Sequence, residues 1–167
     1  MIMATSTVPI DLARSLLDYD PDTGVLRWRK NRTVGTKAGD IAGSPTGDGY
    51  QKIRLLGKPY RAHRVAFAMY YNRQPAEQLD HIDGDRGNNK IANLREATNS
   101  QNAMNMKIAS AHSVGVKNVS IDKKKYVVRL QANGNLFRIG RFDTLNEASE
   151  AAKKAREFIH GEFARHG

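Results

Sequence analysis

The stretch QLDHIDGDRGNNKIANLREATNSQNAMNMK, residues 78–107, combines two alternating segments, a polar segment between them and a helix start signal. Residues 78–82 and 91–97 alternate apolar and polar side chains, which predicts two short strands. The segment between them is rich in Asp, Gly and Asn, a composition that favours a loop. Thr98 and Gln101 have the spacing of a capping box, so we expect a helix to begin there. The stretch therefore predicts a strand, a loop, a strand and a helix in succession.

Four polar side chains fall at defined positions within this predicted unit. Asp80 and His81 are adjacent in the first strand. Asn93 follows on the second strand, 12 positions after His81, and Asn102 lies on the capped helix. An Asp-His pair alone is weak evidence, because such residues often only satisfy turns. The convergence of four polar residues on one strand–strand–helix unit indicates a functional site.

The order of these residues resembles the HNH endonuclease family, in the version common in phage homing enzymes. The resemblance covers residues 78–107 and is carried by the Asp-His pair, the loop, Asn93-Leu94-Arg95 and the Asn on the helix. It implies a central ββα-metal unit, at residues 76–112, within an α+β protein. The implied activity is metal-dependent hydrolysis of phosphodiester bonds in double-stranded DNA.

The resemblance also implies a role for each of the four residues. His81 is the general base, because an imidazole with a pKa near ~6.5 can accept a proton from water at neutral pH. Asp80 and Asn102 hold one divalent cation, which relieves charge at the phosphate and at the departing 3′ oxygen. Asn93 orients His81 and the loop. Because Asn102 stands where the family often has a histidine, its oxygen favours Mg²⁺ or Mn²⁺ over Zn²⁺.

Four residues near this site keep two interpretations each. Asp83 and Asp85 are either additional metal ligands or turn residues, the ordinary role of Asp-Gly-Asp in a loop. Arg95 either contacts phosphates of the cut strand or is a surface arginine. His63, beside an apolar helical stripe at 62–71, is either a buried, hydrogen-bonded histidine or a supporting residue near the site.

Residues 113–167 predict a separate small module of three strands and one helix. The Asn133-Gly134 pair is a strong hairpin signal between the second and third strands. Thr144 and Glu147 form a second capping box, which predicts that the helix begins there and runs to residue 159. The strand candidates are residues 114–121, 125–132 and 136–142.

This module resembles the AP2 DNA-binding domain, in which the sheet lies in the major groove. The resemblance is carried by Gly115-Val116, Ile139-Gly140-Arg141-Phe142, Glu147-Ala148, Ala151 and the closing His160-Gly161-Glu162-Phe163-Ala164. Strand alternation predicts that Phe137 and Ile139 face the helix. The predicted DNA-binding side chains are Lys117, Arg129, Gln131, Arg138 and Arg141.

The charge of the chain is uneven along its 167 residues, with 27 Lys and Arg against 17 Asp and Glu. Residues 1–75 carry 12 basic and 6 acidic groups, residues 76–112 carry 4 and 5, and residues 113–167 carry 11 and 6. A near-neutral centre between basic arms suits a cation site whose neighbours hold phosphate. We therefore expect three parts with these bounds, a basic α/β region, the HNH unit and the AP2-like domain.

Several protein classes are disfavoured by composition. The chain has no cysteine, which excludes disulfides and cysteine-ligated zinc, and it has no apolar run long enough for a membrane span. We expect an intracellular protein, phage-encoded and acting in the cytoplasm of a bacterial host, with no small-molecule cofactor beyond the metal. Without a heptad run or other dimerisation signal, we expect a monomer that nicks one DNA strand.

Two other functions fit part of the sequence. A sequence-specific DNA-binding regulator with an inactive nuclease centre would explain the basic modules. A packaging protein would explain the charge alone. Neither accounts for the intact set of four site residues, so the endonuclease is the preferred hypothesis.

Overall fold

The computed structural model describes residues 7–32, 35–105 and 114–164. Within these residues the chain forms four α-helices and ten strands in several small sheets, so the expected mixed α/β composition is confirmed. Two compact units divide the chain, Met1–Glu96 and Ala97–Gly167. The predicted three-part division remains a prediction, and its boundary at residues 112 and 113 lies outside the described residues.

The first unit opens with helix α1 (Ile10–Leu16), which is followed by strand β1 (Leu17–Tyr19) and strand β2 (Leu26–Trp28). These strands pair antiparallel across a turn that contains Gly24, whose φ is 75°. A Cβ added at Gly24 would lie 2.6 Å from the carbonyl carbon of Asn89. A side chain cannot fit at that distance, so this position requires glycine both for its backbone conformation and for its close neighbour.

A second sheet and a helix complete the core of the first unit. Strands β3 (Ser44–Pro45), β4 (Gln51–Leu55) and β5 (Lys58–Arg61) pair antiparallel, and helix α2 (Ala62–Tyr71) follows directly. The helix ends at Asn72, which adopts the left-handed conformation that commonly terminates helices. The buried apolar face of α2 packs with side chains from both sheets, as the helical stripe predicted. The buried core of the first unit comprises Val8, Ala13, Leu17, Leu26, Trp28, Ala42, Ile53, Leu55, Ala62, Val65, Ala66, Ala68, Met69 and Leu94.

The strand–loop–strand–helix order predicted for the central stretch is confirmed. Strand β6 (Gln78–His81) pairs with strand β7 (Leu94–Ala97), and a 3₁₀ turn (Ile91–Asn93) leads into β7. Helix α3 (Asn99–Met104) begins after Thr98, whose side chain accepts from the backbone N–H of Gln101 while the Gln101 side chain accepts in return. The division between the two units falls within β7, so α3 belongs to the second unit.

The second unit contains the three strands and the capped helix expected from its sequence. Strands β8 (Val119–Asp122), β9 (Lys125–Ala132) and β10 (Asn135–Phe142) form an antiparallel sheet with β9 at its centre. Asn133 and Gly134 both have positive φ, as a type I′ hairpin turn requires. Helix α4 (Leu145–His160) buries its alanines against the sheet; the core residues are Val119, Val128, Leu130, Ala148 and Ala152.

Strand alternation predicted that Phe137 and Ile139 face the helix. Phe137 pairs in register with the buried Leu130, as that prediction requires, but Ile139 does not follow the alternation, and neither side chain is buried. Phe137 is 39% exposed and Ile139 is 38% exposed. The register of β10 against β9 shifts between Arg138 and Gly140, so Ile139 is an extra residue in a bulge. Strand β10 also lies at the edge of the sheet, where a side chain has a neighbouring strand on one side only and is covered less completely.

Candidate active site

Asp80 and His81 both lie in β6, and both are buried, with 4% and 3% of their surface exposed. The Oδ2 atom of Asp80 accepts a hydrogen bond from Nε of Arg95 at 2.9 Å, and Nη2 of the same guanidinium forms an ion pair with this oxygen at 2.8 Å. Arg95 is 14% exposed at its side chain, so it is a partner of Asp80 and not a surface arginine. The ion pair fixes the direction of the carboxylate.

The imidazole of His81 contacts a loop residue that the sequence analysis did not select. His81 Nε2 lies 3.4 Å from Oδ1 of Asn89, and Asn89 is itself 2% exposed. Burial lowers the pKa of His81 below its usual value, because a buried site disfavours the charged imidazolium. A neutral imidazole is the form that can accept a proton at neutral pH.

Asn93 holds the loop that joins the two strands of the site. Its amide nitrogen donates to Oδ1 of Asp83 at 2.9 Å and to the carbonyl of Asn88 at 2.9 Å. Its amide oxygen accepts from the backbone N–H of Asp83 at 3.0 Å. These contacts hold the loop in place, whereas the side chain that faces Nε2 of His81 is that of Asn89.

The two aspartates of the loop accept hydrogen bonds from the loop backbone. Oδ1 of Asp83 accepts from the N–H of Asp85 at 2.8 Å, and Oδ1 of Asp85 accepts from the N–H of Gly87 at 2.9 Å. A side-chain oxygen that bonds the backbone two residues further on is the pattern of an Asx turn. The turn interpretation therefore accounts for both residues.

His63 and Tyr50 form a buried aromatic group with His81. The His63 ring lies 5.1 Å from the His81 ring, edge to face, and 5.2 Å from the Tyr50 ring. His63 is 6% exposed, and its Nδ1 has no hydrogen-bond partner among the described residues. Burial, with a smaller contribution from His81, lowers the pKa of His63 well below its usual range. His63 therefore packs against His81 as an uncharged ring.

Two arginines border this aromatic group at Tyr50. The guanidinium carbon of Arg61 lies 4.5 Å from the centre of the Tyr50 ring, and that of Arg86 lies 5.0 Å from it. Asp48 positions both arginines, because its carboxylate accepts from Arg61 at 2.8 Å and its carbonyl accepts from Arg86 at 2.9 Å. The sequence analysis placed these residues only within a basic region. The structure brings their positive charge next to the ring that contacts His81.

Asn102 lies in α3 of the second unit and is partly buried. Among the described residues, no group of three or more His, Cys, Asp or Glu side chains is arranged to hold a metal ion. The predicted ligands, Asp80 and Asn102, are one carboxylate and one amide, so they do not form a group of that kind. Both offer hard oxygen donors of the type that Mg²⁺ prefers. Each residue taken alone therefore offers donor chemistry that suits a divalent cation, and their pairing as ligands remains a prediction.

The predicted DNA-binding residues of the second unit fall into two environments. Arg129 pairs in register with Arg138, and both are exposed. Gln131 and Arg141 are exposed on the same two strands, and Arg141 forms an ion pair with Asp122 at 3.2 Å. Lys117 instead precedes β8, is partly buried, and donates from Nζ to the carbonyl of Met104 at 2.7 Å. The described helices include none long and apolar enough to cross a membrane.

The buried Asp-His strand, the loop and the returning strand define the class of protein. Residues 60–104 match the model of an HNH endonuclease family, and the match includes Asp80, His81, Asn93 and Asn102. The chain therefore belongs to the HNH endonuclease family. This confirms the resemblance seen in residues 78–107, whereas the resemblance of the second unit to AP2 domains remains a prediction.

Two relatives extend the similarity beyond this domain. An uncharacterized HNH endonuclease of Acanthamoeba polyphaga mimivirus is 32% identical over 118 residues, which is 70% of this chain and 61% of the relative. Protein 3.8 of Escherichia phage T7 is 34% identical over 89 residues, which is 52% of this chain and 73% of the relative. The chain thus spans less than two thirds of the mimivirus protein. No solved structure matches the chain.

Proposed function

We propose that the protein is a metal-dependent endonuclease that hydrolyses phosphodiester bonds in double-stranded DNA. The observation that carries the proposal is a buried His81 of lowered pKa beside the buried carboxylate of Asp80. The HNH endonuclease match over residues 60–104 supports the same chemistry. The net charge of +10 supports a polyanionic substrate.

His81 is the general base in this proposal. Its neutral imidazole takes a proton from water, the water oxygen forms a bond to phosphorus, and the bond from phosphorus to the 3′ oxygen breaks. General-base catalysis of this kind contributes a factor of about 10²–10⁴ to the rate. His63 and Tyr50 pack around the His81 ring and limit its movement. The charges of Arg61 and Arg86 near Tyr50 favour a phosphate close to His81.

Asp80 and Asn102 are the proposed ligands of Mg²⁺ or Mn²⁺. When bound, the cation supplies Lewis-acid relief of negative charge at the phosphate and the departing oxygen. Arg95 holds one oxygen of Asp80 in place, which orders the carboxylate before substrate arrives. With only two protein ligands, affinity for the cation in the absence of DNA should be low.

The second unit is proposed to hold the DNA duplex through the outer face of β9 and β10. This face carries exposed side chains suited to phosphates and base edges, namely Arg129, Gln131, Arg138 and Arg141. Lys117 joins this set only if its amino group leaves the carbonyl of Met104. We further propose an AP2-like binding mode, a monomer that nicks one strand, and a phage-encoded enzyme of homing type in a bacterial cytoplasm.

The test is cleavage of supercoiled plasmid with Mg²⁺, with and without chelator. His81→Gln should lower the cutting rate by about 10²–10⁴-fold, since an amide accepts no proton from water at neutral pH. His160→Gln is a matched control, because it changes a buried histidine of the second unit that has no role in the proposed chemistry. Cleavage at the wild-type rate in His81→Gln, or in wild-type protein with chelator, would refute the proposal.

A further inference from the structure

We infer that Asn89 is the positioning residue of the proposed base, and that Tyr19, Gly24 and Gln51 hold Asn89 in place. The inference deepens the proposed function and rests on it. It adds a residue to the site that lies outside the four polar positions expected from the sequence. Its starting point is the contact between Asn89 and the ring of His81.

The contact selects one of the two neutral forms of His81. Oδ1 of Asn89 is an acceptor only, so His81 Nε2, 3.4 Å away, must carry the proton for a hydrogen bond to form. A neutral imidazole has one N–H, so its lone pair then lies on Nδ1. Asn89 thereby determines which nitrogen of His81 carries the proton and which carries the lone pair.

Gln51 determines which way the Asn89 amide faces. The amide nitrogen of Asn89 donates to Oε1 of Gln51 at 3.4 Å, which leaves the amide oxygen directed at His81. Gln51 is the first residue of β4, so its backbone is fixed by the sheet of the first unit. A hydrogen-bonded chain therefore runs from β4 through Asn89 to the imidazole.

The backbone of Asn89 is held by residues of β1 and of the turn that follows it. The hydroxyl of Tyr19 donates to the carbonyl of Asn89 at 2.8 Å. Burial raises the pKa of Tyr19, so this hydroxyl stays protonated and remains a donor. Gly24 packs directly on the peptide that joins Asn89 to Lys90. The backbone N–H of Ile91 donates to the carbonyl of Pro21 at 3.1 Å, which ties the next residues to the same turn.

These contacts distinguish Asn89 from the other asparagines of the loop. Asn88 donates to the carboxylate of Asp83, and Asn93 bonds the same loop, so both organise local turns. Asn89 is the asparagine of this loop that is almost fully buried, and its side chain points to an imidazole rather than to the loop backbone. A purely structural role would only satisfy its own polar groups. If Asn89 positions His81, then substitution of Asn89 must also change the tautomer or the catalytic contribution of His81.

The first experiment reads the tautomer of His81 directly, by long-range ¹H–¹⁵N correlation in the full-length protein at about pH 8, above the ordinary histidine pKa. The wild type should show the Nε2–H form, with the signal identified by its absence in His81→Gln. Asn89→Leu should shift His81 towards a mixture of both forms. Asn89→Asp keeps an oxygen acceptor in the same place and should retain the Nε2–H form. An Nδ1–H form in the wild type would overturn the inference.

The second experiment is a double-mutant cycle on plasmid cleavage. Asn89→Leu should lower kcat by about 10- to 100-fold with little change in KM, a part of the about 10²–10⁴-fold that a general base contributes. In the His81→Gln background the same substitution should have no further effect, because the base is already absent. An equal loss in both backgrounds would show a merely structural role. A wild-type protein that cuts no DNA would refute the proposed function, whereas the tautomer would still decide whether Asn89 orients His81.

Discussion

The surroundings of His81 and the outer face of β9 and β10 use polar residues in opposite ways. His81 is 3% exposed and is packed by two rings and an asparagine. Arg129 and Arg138 are exposed side chains on neighbouring strands. The contacts around His81 hold one imidazole ring in place, whereas the arginines on β9 and β10 remain accessible to solvent.

The difference follows from what each region is proposed to do. A group that transfers a proton must be held in one geometry, because a small misplacement lowers the rate steeply. A group that attracts phosphate works through charge, which acts over a distance of about 10 Å at moderate salt and tolerates several side-chain conformations. Substitutions should therefore have large effects on rate in the first region and modest effects on affinity in the second.

The largest expected effect is that of His81→Ala on cleavage. The rate should fall by about 10²–10⁴-fold, because the base that deprotonates water is lost. DNA affinity, measured by fluorescence anisotropy in Ca²⁺ or without metal, should stay close to that of the wild type. A variant that binds poorly yet cuts well at high concentration would show that His81 belongs with the binding region instead.

Gly24→Ala is expected to have the next largest effect, on the folded state itself. The added Cβ would collide with the backbone of Asn89 and Lys90 and would also strain a φ of 75°, so the free energy of unfolding should fall by more than about 1 kcal/mol. Gly57→Ala is the matched control, because its φ is 81° but nothing lies within 4 Å of the added atom. Denaturant titration of both variants gives the free energy of unfolding that each one loses. The loss in Gly57→Ala reports backbone strain alone, and the additional loss in Gly24→Ala reports the collision. Equal losses in the two variants would contradict the close packing at Gly24.

Arg138→Ala should weaken DNA binding by a few-fold and leave the rate at saturating DNA unchanged. If Arg138 neutralises one phosphate, the slope of log affinity against log salt should become shallower by about 0.9. The measurement is a salt series of dissociation constants for wild type and variant. A large fall in kcat at saturation would mean that this face takes part in the chemistry and would break the contrast between the two regions.

Tyr19→Phe should also have a modest effect, a fall in kcat of about 2- to 10-fold from the loss of one hydrogen bond worth about 0.5–1.5 kcal/mol. The variant removes only the hydroxyl that donates to the carbonyl of Asn89. Tyr60→Phe is a matched control, since Tyr60 is also partly buried against the core of the first unit. Indistinguishable rates for the two variants would show that the hydroxyl does not contribute to the position of Asn89.

Local signals in the sequence predicted much of the fold. Both capping boxes, at Thr98 and Thr144, form as expected, and the Asn133-Gly134 hairpin has the positive φ values that its residues favour. Such signals act over a few neighbouring residues, so they can be read without knowledge of the tertiary structure. The apolar–polar alternation of residues 78–82 likewise placed Asp80 and His81 together on a strand, where the structure has them.

The contacts that organise the site could not be predicted in the same way. Tyr19 and Asn89 are 70 positions apart, and His63 meets His81 only after α2 has packed on the sheet. Asn89 itself lies in a segment whose composition is that of any polar loop, so no local pattern separates it from Asn88. Its role depends on burial, which is a property of the assembled unit.

The close approach of Gly24 to the loop has a consequence for the exchange of segments between related proteins. A recombination event that transferred only the segment matching the HNH model, residues 60–104, would carry Asp80, His81 and Asn89 into a new protein. It would leave behind the hydroxyl of Tyr19 and the turn at Gly24, both of which contact the backbone around Asn89. The unit that keeps the contacts of Asn89 intact therefore begins well before the segment by which the family is recognised.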